Sequence, residues 1–253
     1  VAGGAMIAGL LHTVPALAPT FDLLVADAVP GVEREHVVDA WMLETAIAEG
    51  VTPAVRSRVA SHLRHLADSG ADAILVTCSS IGEAAEEAAA DLGIPVIRVD
   101  AAMAAEAAHV AAGRVAVLAT NTATLGPTTR LIEREATAQG VDTTVTAAVV
   151  EGAAAARSAG DQAGHDRLIA EAVRAAAQPA DGGAPAGVIV LAQASMAAAA
   201  EAAGVGIPVL TSPAGGVARL AEALTPSDPG RPSASANRPA APGSDGPSPA
   251  ASS

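Results

Sequence analysis

Ile74-Leu75-Val76-Thr77-Cys78-Ser79-Ser80 and Ile189-Val190-Leu191-Ala192-Gln193-Ala194-Ser195 decide how this chain is read. Each is an apolar, β-branched run that ends in small polar residues. Each is followed by an Ala-rich stretch and then by Gly-Ile-Pro-Val, at residues 93–96 and 206–209. A short apolar run bounded by turn residues reads as a buried strand, and an Ala-rich stretch as a helix. The two segments lie 115 residues apart, and two further matches recur in the same order: Ile7 to Thr20 with Val115 to Thr128 at an offset of 108, and His36-Val37-Val38-Asp39 with Ala148-Val149-Val150-Glu151 at an offset of 112. Three matches in register point to a duplicated unit.

Outward from these segments the same alternation continues. Strands are predicted at Met6–Leu11, Val37–Val38, Ala73–Val76, Val96–Val99, Val115–Ala119, Thr143–Val150, Val188–Leu191 and Val209–Leu210. Helices are predicted at Thr52–Ser69, Gly82–Leu92, Ala101–Ala112, Pro127–Gln139, Gly164–Gln178, Met196–Ala203 and Ala214–Leu224, with Gly70, Gly93, Gly113 and Gly140 as left-handed stops. Strands alternating with helices imply βαβ units on parallel sheets. The fold class is therefore α/β, as two pseudo-symmetric lobes: residues 1–100 with 211–225, and residues 101–210. From Pro226 to Ser253 the chain is mostly Pro, Ser, Ala and Gly, which leaves nothing apolar to offset the entropy of ordering, so a disordered tail is expected.

Composition removes several function classes. The formal net charge of −13 speaks against a nucleic-acid partner, since phosphate backbones are bound by clustered cations. All fourteen basic residues are Arg; a chain without Lys has neither a pyridoxal phosphate Schiff base nor a phosphate-binding P-loop. The single Cys rules out an intramolecular disulfide and a Cys-rich zinc site, and it fits a cytoplasmic setting. No cofactor and no metal are expected. The apolar stretch from Ala5 to Ala18 lacks a basic leader and reads as a buried first strand rather than a signal peptide. No apolar stretch is long enough to span a membrane, and the apolar excess suits a homodimer.

Ligands of open parallel sheets sit beyond the carboxyl ends of the strands. The paired matches place His12 with Thr120, Asp39 with Glu151 and Cys78 with Gln193 at such ends, converging on a cleft if the lobes face each other. Cys78 lies between a strand and a helical stretch, where the helix macrodipole is expected to lower a thiol toward neutrality and make it a base or nucleophile. Thr13, Thr77, Ser79, Ser80, Thr120, Asn121, Thr122 and Thr124 crowd the strand-to-helix turns. Free backbone N–H groups there suit a carboxylate, although Ser and Thr also serve as ordinary helix caps.

His12-Thr13-Val14-Pro15, Val76 to Gly82, Ala119 to Thr129 and Leu191 to Ala197 together resemble the aspartate/glutamate/hydantoin racemase superfamily, over nearly the whole chain to about Leu224. The resemblance implies a two-lobed, flavodoxin-like fold and cofactor-independent chemistry at a carbon next to a carboxylate. Typical members use two cysteines, one per lobe, on opposite faces of the substrate. Cys78 matches the first, and Gln193 stands where the second belongs. A carboxamide neither gives nor takes a proton readily, so the symmetric two-thiol mechanism does not run here. Gln193 is instead expected to hydrogen-bond a carbonyl or enediolate oxygen. The missing acid falls to Asp39, Glu151, His12 or water, with Thr13, Thr77, Ser79, Ser80, Thr120, Asn121, Thr122, Ala194 and Ser195 around a small carboxylate substrate.

Two other readings stand beside a racemase or epimerase. One is a one-thiol decarboxylase or cis–trans isomerase of a small dicarboxylate; the other is a carboxylate-binding protein without catalysis. His62 and His65, three apart on a predicted helix, and His165-Asp166 are expected to face solvent, and Gly3, Gly4 and Gly9 lack the context of a dinucleotide fingerprint.

Overall fold

β-Branched runs buried on both faces build two parallel sheets. The computed structural model describes residues 6–110, 113–178 and 185–225. The first sheet contains β1 (Ile7–His12), β2 (Glu33–Val38), β3 (Ala73–Val76) and β4 (Val96–Arg98), in the order β2-β1-β3-β4. The second contains β5 (Arg114–Ala119), β6 (Thr144–Val149), β7 (Val188–Leu191) and β8 (Val209–Thr211), in the order β6-β5-β7-β8. The topologies are identical. The expected tail from Pro226 onward, and Gly3 and Gly4, lie outside the described residues.

Helices cover both faces of each sheet. Leu10 and Leu75 pack on Phe21 and Val25 of α1 (Ala18–Ala28) and on Val217 and Leu220 of α10 (Ser212–Leu224). Leu11, Ile74 and Val76 pack on α3 (Pro53–Asp68) through Val55, Val59 and Leu63, and on α4 (Gly82–Ala89). In the second sheet Val115, Val117 and Val190 meet α5 (Ala101–Val110) and α6 (Thr122–Gln139), while Leu118 and Leu191 meet α8 (Gln162–Ala176) and α9 (Ala198–Ala203). The last helix thus returns to the first sheet. It gets close because Gly216 has no side chain: a Cβ there would stand 2.8 Å from the backbone of Val99.

Three parts of the fold differ from the sequence reading. The short helices α2 (Ala40–Glu49) and α7 (Ala153–Ser158), like α1, carry no strong helix signature, and β2 starts earlier because its Glu33-Arg34-Glu35 is charged and lies on an edge strand. Helix α6 begins at Thr122 rather than at Pro127, which lies inside it although Pro normally marks a first turn.

The register also corrects two of the three repeat offsets. Leu11 pairs with Val76 as Leu118 pairs with Leu191, so β1 maps onto β5 one residue away from the sequence match. Asp39 N–H donates to His12 O just as Val150 N–H donates to Ala119 O. The counterpart of His12 is therefore Ala119, not Thr120, and that of Asp39 is Val150, not Glu151. A slip of one residue matters in a strand because it exchanges the two faces. The match of Cys78 with Gln193 stands.

Candidate active site in the seam between the sheets

The carboxyl ends of β3 and β7 meet. Each strand runs into a one-turn 3-10 segment, Ser79–Ile81 after Cys78 and Ala194–Met196 after Gln193, and both junction residues are extended, with φ near −124° and −122°. The seam is closed by hydrogen bonds between the lobes: Ser79 Oγ donates to Ala192 O at 3.0 Å, and Ser80 Oγ lies 3.0 Å from Thr124 Oγ1. Thr124 gives its own proton to Asn121 Oδ1 at 3.1 Å, so Ser80 is the donor in that pair. Behind them, exposed pairs link α4 to α6, Glu83 with Arg130 and Glu86 with Arg134.

Between the two strand ends lies a small cavity lined by Thr13, Val14, Leu17, Leu43, Thr77, Cys78, Ser79, Ser80, Thr124, Gln193, Ala194 and Ser195. Its free space is about 30 Å³, the room of roughly one water molecule. The cavity gathers Cys78 and Gln193, with Thr13, Thr77, Ser79, Ser80, Ala194 and Ser195 from the predicted set. Val14, Leu17 and Leu43 were not foreseen, and nothing in an apolar residue's sequence context would single it out as a cavity wall.

Burial pushes the Cys78 thiol up from its ordinary value, against the Thr13 hydroxyl, the N–H groups of Ser80 and Ile81 and the Ser80 hydroxyl, which pull it down. This reverses the expected drop toward neutrality. The 3-10 turn leads straight into α4, but desolvation of the thiol outweighs the N–H groups that this helix start turns toward it. Thr13 Oγ1 is buried without a partner, in place to donate to a thiolate.

Gln193 is held differently. Its Oε1 accepts from the Thr120 N–H and from Thr120 Oγ1, the latter at 2.9 Å. A backbone N–H only donates, so the amide orientation is fixed and its NH₂ end remains for a ligand. Thr120 thus supports the cavity through Gln193, and Asn121 through Thr124, while Thr122 opens α6 outside the lining.

His12, Asp39 and Glu151 are not lining residues. Asp39 is buried and bound by Arg58 and by His62 Nε2 at 2.7 Å. Burial alone would raise it, but those hydrogen bonds and charges hold its carboxyl below the ordinary value, and Arg58 also stacks on Trp41 at 4.9 Å. A carboxylate so compensated is a poor proton donor. Glu151 sits exposed at the turn after β6 because the true partner of Asp39 is Val150. His12 is fully buried, with both ring nitrogens occupied: Nδ1 at 2.9 Å from Thr77 Oγ1, Nε2 at 3.0 Å from His36 Nδ1. Burial first, and the charge of His36 second, lower it to about 4.

His62 is held by Asp39 rather than by solvent, whereas His65 is exposed. His165 is buried against Gln162 and Asp166, contrary to expectation, because it lies on the inner face of α8. Among the described residues no group of His, Cys, Asp and Glu has the geometry to hold a metal, and no helix is long and apolar enough to cross a membrane.

Residues 9–220 match the family model described as Asp/Glu/Hydantoin racemase. No curated protein sequence matches. Among solved structures, glutamate racemase isoform RacE1 from Bacillus anthracis superposes with a TM-score of 0.66 at 16% identity, over 87% of this chain and 81% of that one. Allantoin racemase from Klebsiella pneumoniae gives 0.62 at 19% identity, over 87% of each chain. Glutamate racemase from Francisella tularensis in complex with D-glutamate gives 0.64 at 14%, over 87% and 81%. At these identities the likeness establishes the shared two-lobed α/β fold.

Proposed function

The chain belongs to the Asp/Glu/hydantoin racemase family, and from that premise we propose that it is a cofactor-independent racemase or epimerase working at the carbon next to a carboxylate through one thiol, Cys78. The observation that carries the reading is the lone sulfur in the inter-sheet cavity, facing hydroxyls and an amide supplied by both sheets. The D-glutamate bound to the Francisella relative supports a small carboxylate as the ligand.

In this reading the Cys78 thiolate removes the α-proton. Thr13 Oγ1 donates to the sulfur, and the Gln193 NH₂ donates to the carboxylate oxygen on which enediolate charge develops. Such a donor is effective because it is already oriented, here by Thr120. Thr77, Ser79, Ser80, Ala194 and Ser195, which line the cavity from both strand ends, receive the carboxylate. A cavity the size of one water cannot hold an amino acid, so the lobes, residues 1–100 with 211–225 and residues 101–210, part to admit it. The contacts that must break are the Ser79 and Ser80 bridges and the α4–α6 ion pairs. A cytoplasmic homodimer belongs to the same proposal, with sedimentation as its check.

Incubation of Asp, Glu, hydantoins and malonates in deuterated water tests it. Wash-in of deuterium at the α-carbon of unchanged substrate, abolished by Cys78→Ala, is the expected result. Consumption of a malonate with release of CO₂ replaces racemisation by one-thiol decarboxylation, a reading favoured by the amide at position 193. Binding without turnover that survives Cys78→Ser overturns catalysis.

A further inference from the structure

Behind the thiol runs a chain of polar groups of which the reaction above uses only Thr77. Asp22 Oδ1, on α1 at the surface, lies 3.1 Å from His36 Nε2; His36 Nδ1 lies 3.0 Å from His12 Nε2; His12 Nδ1 lies 2.9 Å from Thr77 Oγ1. The imidazole centroids lie 5.2 Å apart with the rings 10° from parallel, and Phe21 is tilted against the buried one. Thr77 forms part of the cavity wall and is bonded to Cys78 along the backbone. At the other end, Asp22 and His36 line an open surface hollow of about 450 Å³ with Ala18, Pro19 and Leu23.

The second lobe has nothing of the kind. By strand register the counterparts of His12 and His36 are Ala119 and Ala147, and that of Thr77 is Ala192. These three polar links are alanines on the side that presents an amide, and the polar residues accompany the side that presents the thiol.

Hydrogen-bond parity allows this chain two states. Arg34 Nε donates to Asp22 Oδ1 at 2.7 Å and keeps the carboxylate ionised. With both rings neutral, Thr77 donates to His12 Nδ1, His12 Nε2–H donates to His36 Nδ1, and His36 Nε2–H donates to Asp22. With one extra proton on His36, that ring donates at both ends. His12 must then accept at Nε2 and donate from Nδ1, and Thr77 accepts while its own proton turns to Leu11 O, 3.1 Å away. The two states differ by one proton and by the direction of every bond between His36 and Thr77.

We propose that Asp22, His36, His12 and Thr77 form a reversible proton wire that connects the protein surface to the cavity wall on the lobe that carries Cys78. The step balances. The Thr77 hydroxyl turns from Leu11 O toward the cavity, its O–H bond breaks as the proton passes to a basic group held there, and the His12 Nδ1–H proton re-forms it. The His36 Nδ1–H proton moves to His12 Nε2, leaving the neutral state, and solvent reloads His36 through the surface hollow. Burial of His12 disfavours a positive charge on the inner ring. The groups that face His36 are His12 on β1, Asp22 on α1 and Arg34 on its own strand. His36 and His12 are positioning residues, since Thr77 alone reaches the cavity. The role in turnover rests on the reaction proposed above; the wire itself does not.

¹⁵N-histidine NMR of the full chain reads the tautomers directly. As His36 takes up its proton, His12 is expected to stay neutral while its ring proton moves from Nε2 to Nδ1 at the same midpoint; Asp22→Asn, at a half-exposed position that leaves the core untouched, lowers that midpoint. A His12 that keeps one tautomer throughout overturns the wire, whatever the substrate proves to be. Two further readouts test its purpose. The pH profile of Cys78 alkylation by iodoacetamide should show an inflection at the NMR midpoint that His36→Gln removes. With any carboxylate that exchanges its α-hydrogen, His36→Gln should lower kcat about tenfold with little change in KM, and imidazole should restore His36→Ala. An alkylation profile unchanged in His36→Gln overturns the coupling to Cys78. If alkylation responds but no substrate of the panel turns over in the parent, the proposed reaction fails and the wire stands.

Discussion

The ends of β3 and β7 share a backbone and differ in chemistry. Each is followed by a 3-10 turn, and each has a threonine at the same place on the neighbouring strand, Thr13 beside Cys78 and Thr120 on Gln193. On the first side the threonine hydroxyl is unpartnered and the residue it serves is ionisable; on the second the threonine immobilises an amide. The polar chain behind Cys78 is replaced by alanines behind Gln193. The two sheets supply equivalent frames, and in the proposed function side chains make one the reacting side and the other a holding side.

The largest effect that sharpens this contrast is loss of the sulfur. Cys78→Ala is expected to lower turnover by at least about 10³-fold with an unchanged circular dichroism spectrum. Residual activity within tenfold of the parent breaks the assignment of sides. In the parent, burial keeps the resting thiol protonated, so alkylation by iodoacetamide should be slow at pH 7 and rise only as the pH passes above the ordinary thiol value of about 9.

Next comes His12, whose counterpart is Ala119. Its pKa in the folded protein is about 4 against 6.5 for a free histidine, so the fold binds that proton less well than the unfolded chain does. Stability is then full above pH 6.5 and falls as the pH drops toward 4, by up to roughly 3 kcal/mol. Urea midpoints between pH 7 and pH 4 should show this loss in the parent and lack most of it in His12→Gln. An equal slope in both traces it to other groups.

On the holding side, Gln193→Ala should cost about 10²- to 10³-fold in kcat/KM, the range for one oriented donor, while Gln193→Cys makes the sides chemically alike. If the holding role is right, the Cys variant inverts a larger share of the molecules that take up deuterium than the parent does, as chiral chromatography with mass detection reports. The smallest effect belongs to the α4–α6 latch. The pairs of Arg130 and Arg134 are half-exposed, worth at most about 1 kcal/mol together, so the double substitution to Ala should speed Cys78 alkylation by no more than about fivefold and 0.5 M salt should mimic it.

Much of this was legible in the residues. Hydrophobic periodicity marks an element because it reflects which face must leave water, and eight strand positions, the duplication and the Cys78–Gln193 correspondence follow from it. Ala73–Val76 and Val188–Leu191 appear in the structure with the bounds their apolar runs suggest, since a strand buried on both faces has no polar residue to blur its ends. Edge strand β2 was reduced to Val37–Val38 because its outer half is charged.

Register and partnership needed the tertiary structure. Pattern similarity in an Ala- and Val-rich chain tolerates a shift of one residue, whereas hydrogen bonds between strands do not, and that shift moved His12 and Asp39 away from the partners the sequence suggested. Asp39 became half of a closed ion pair, and His12 moved from the cavity wall to the chain behind it. The sequence alone determined that one sulfur ends a buried strand in a duplicated α/β chain. Only folding decided that residues 22, 36, 12 and 77 form one line and that the thiol is desolvated, because both depend on which distant strands lie side by side and on how much water they exclude.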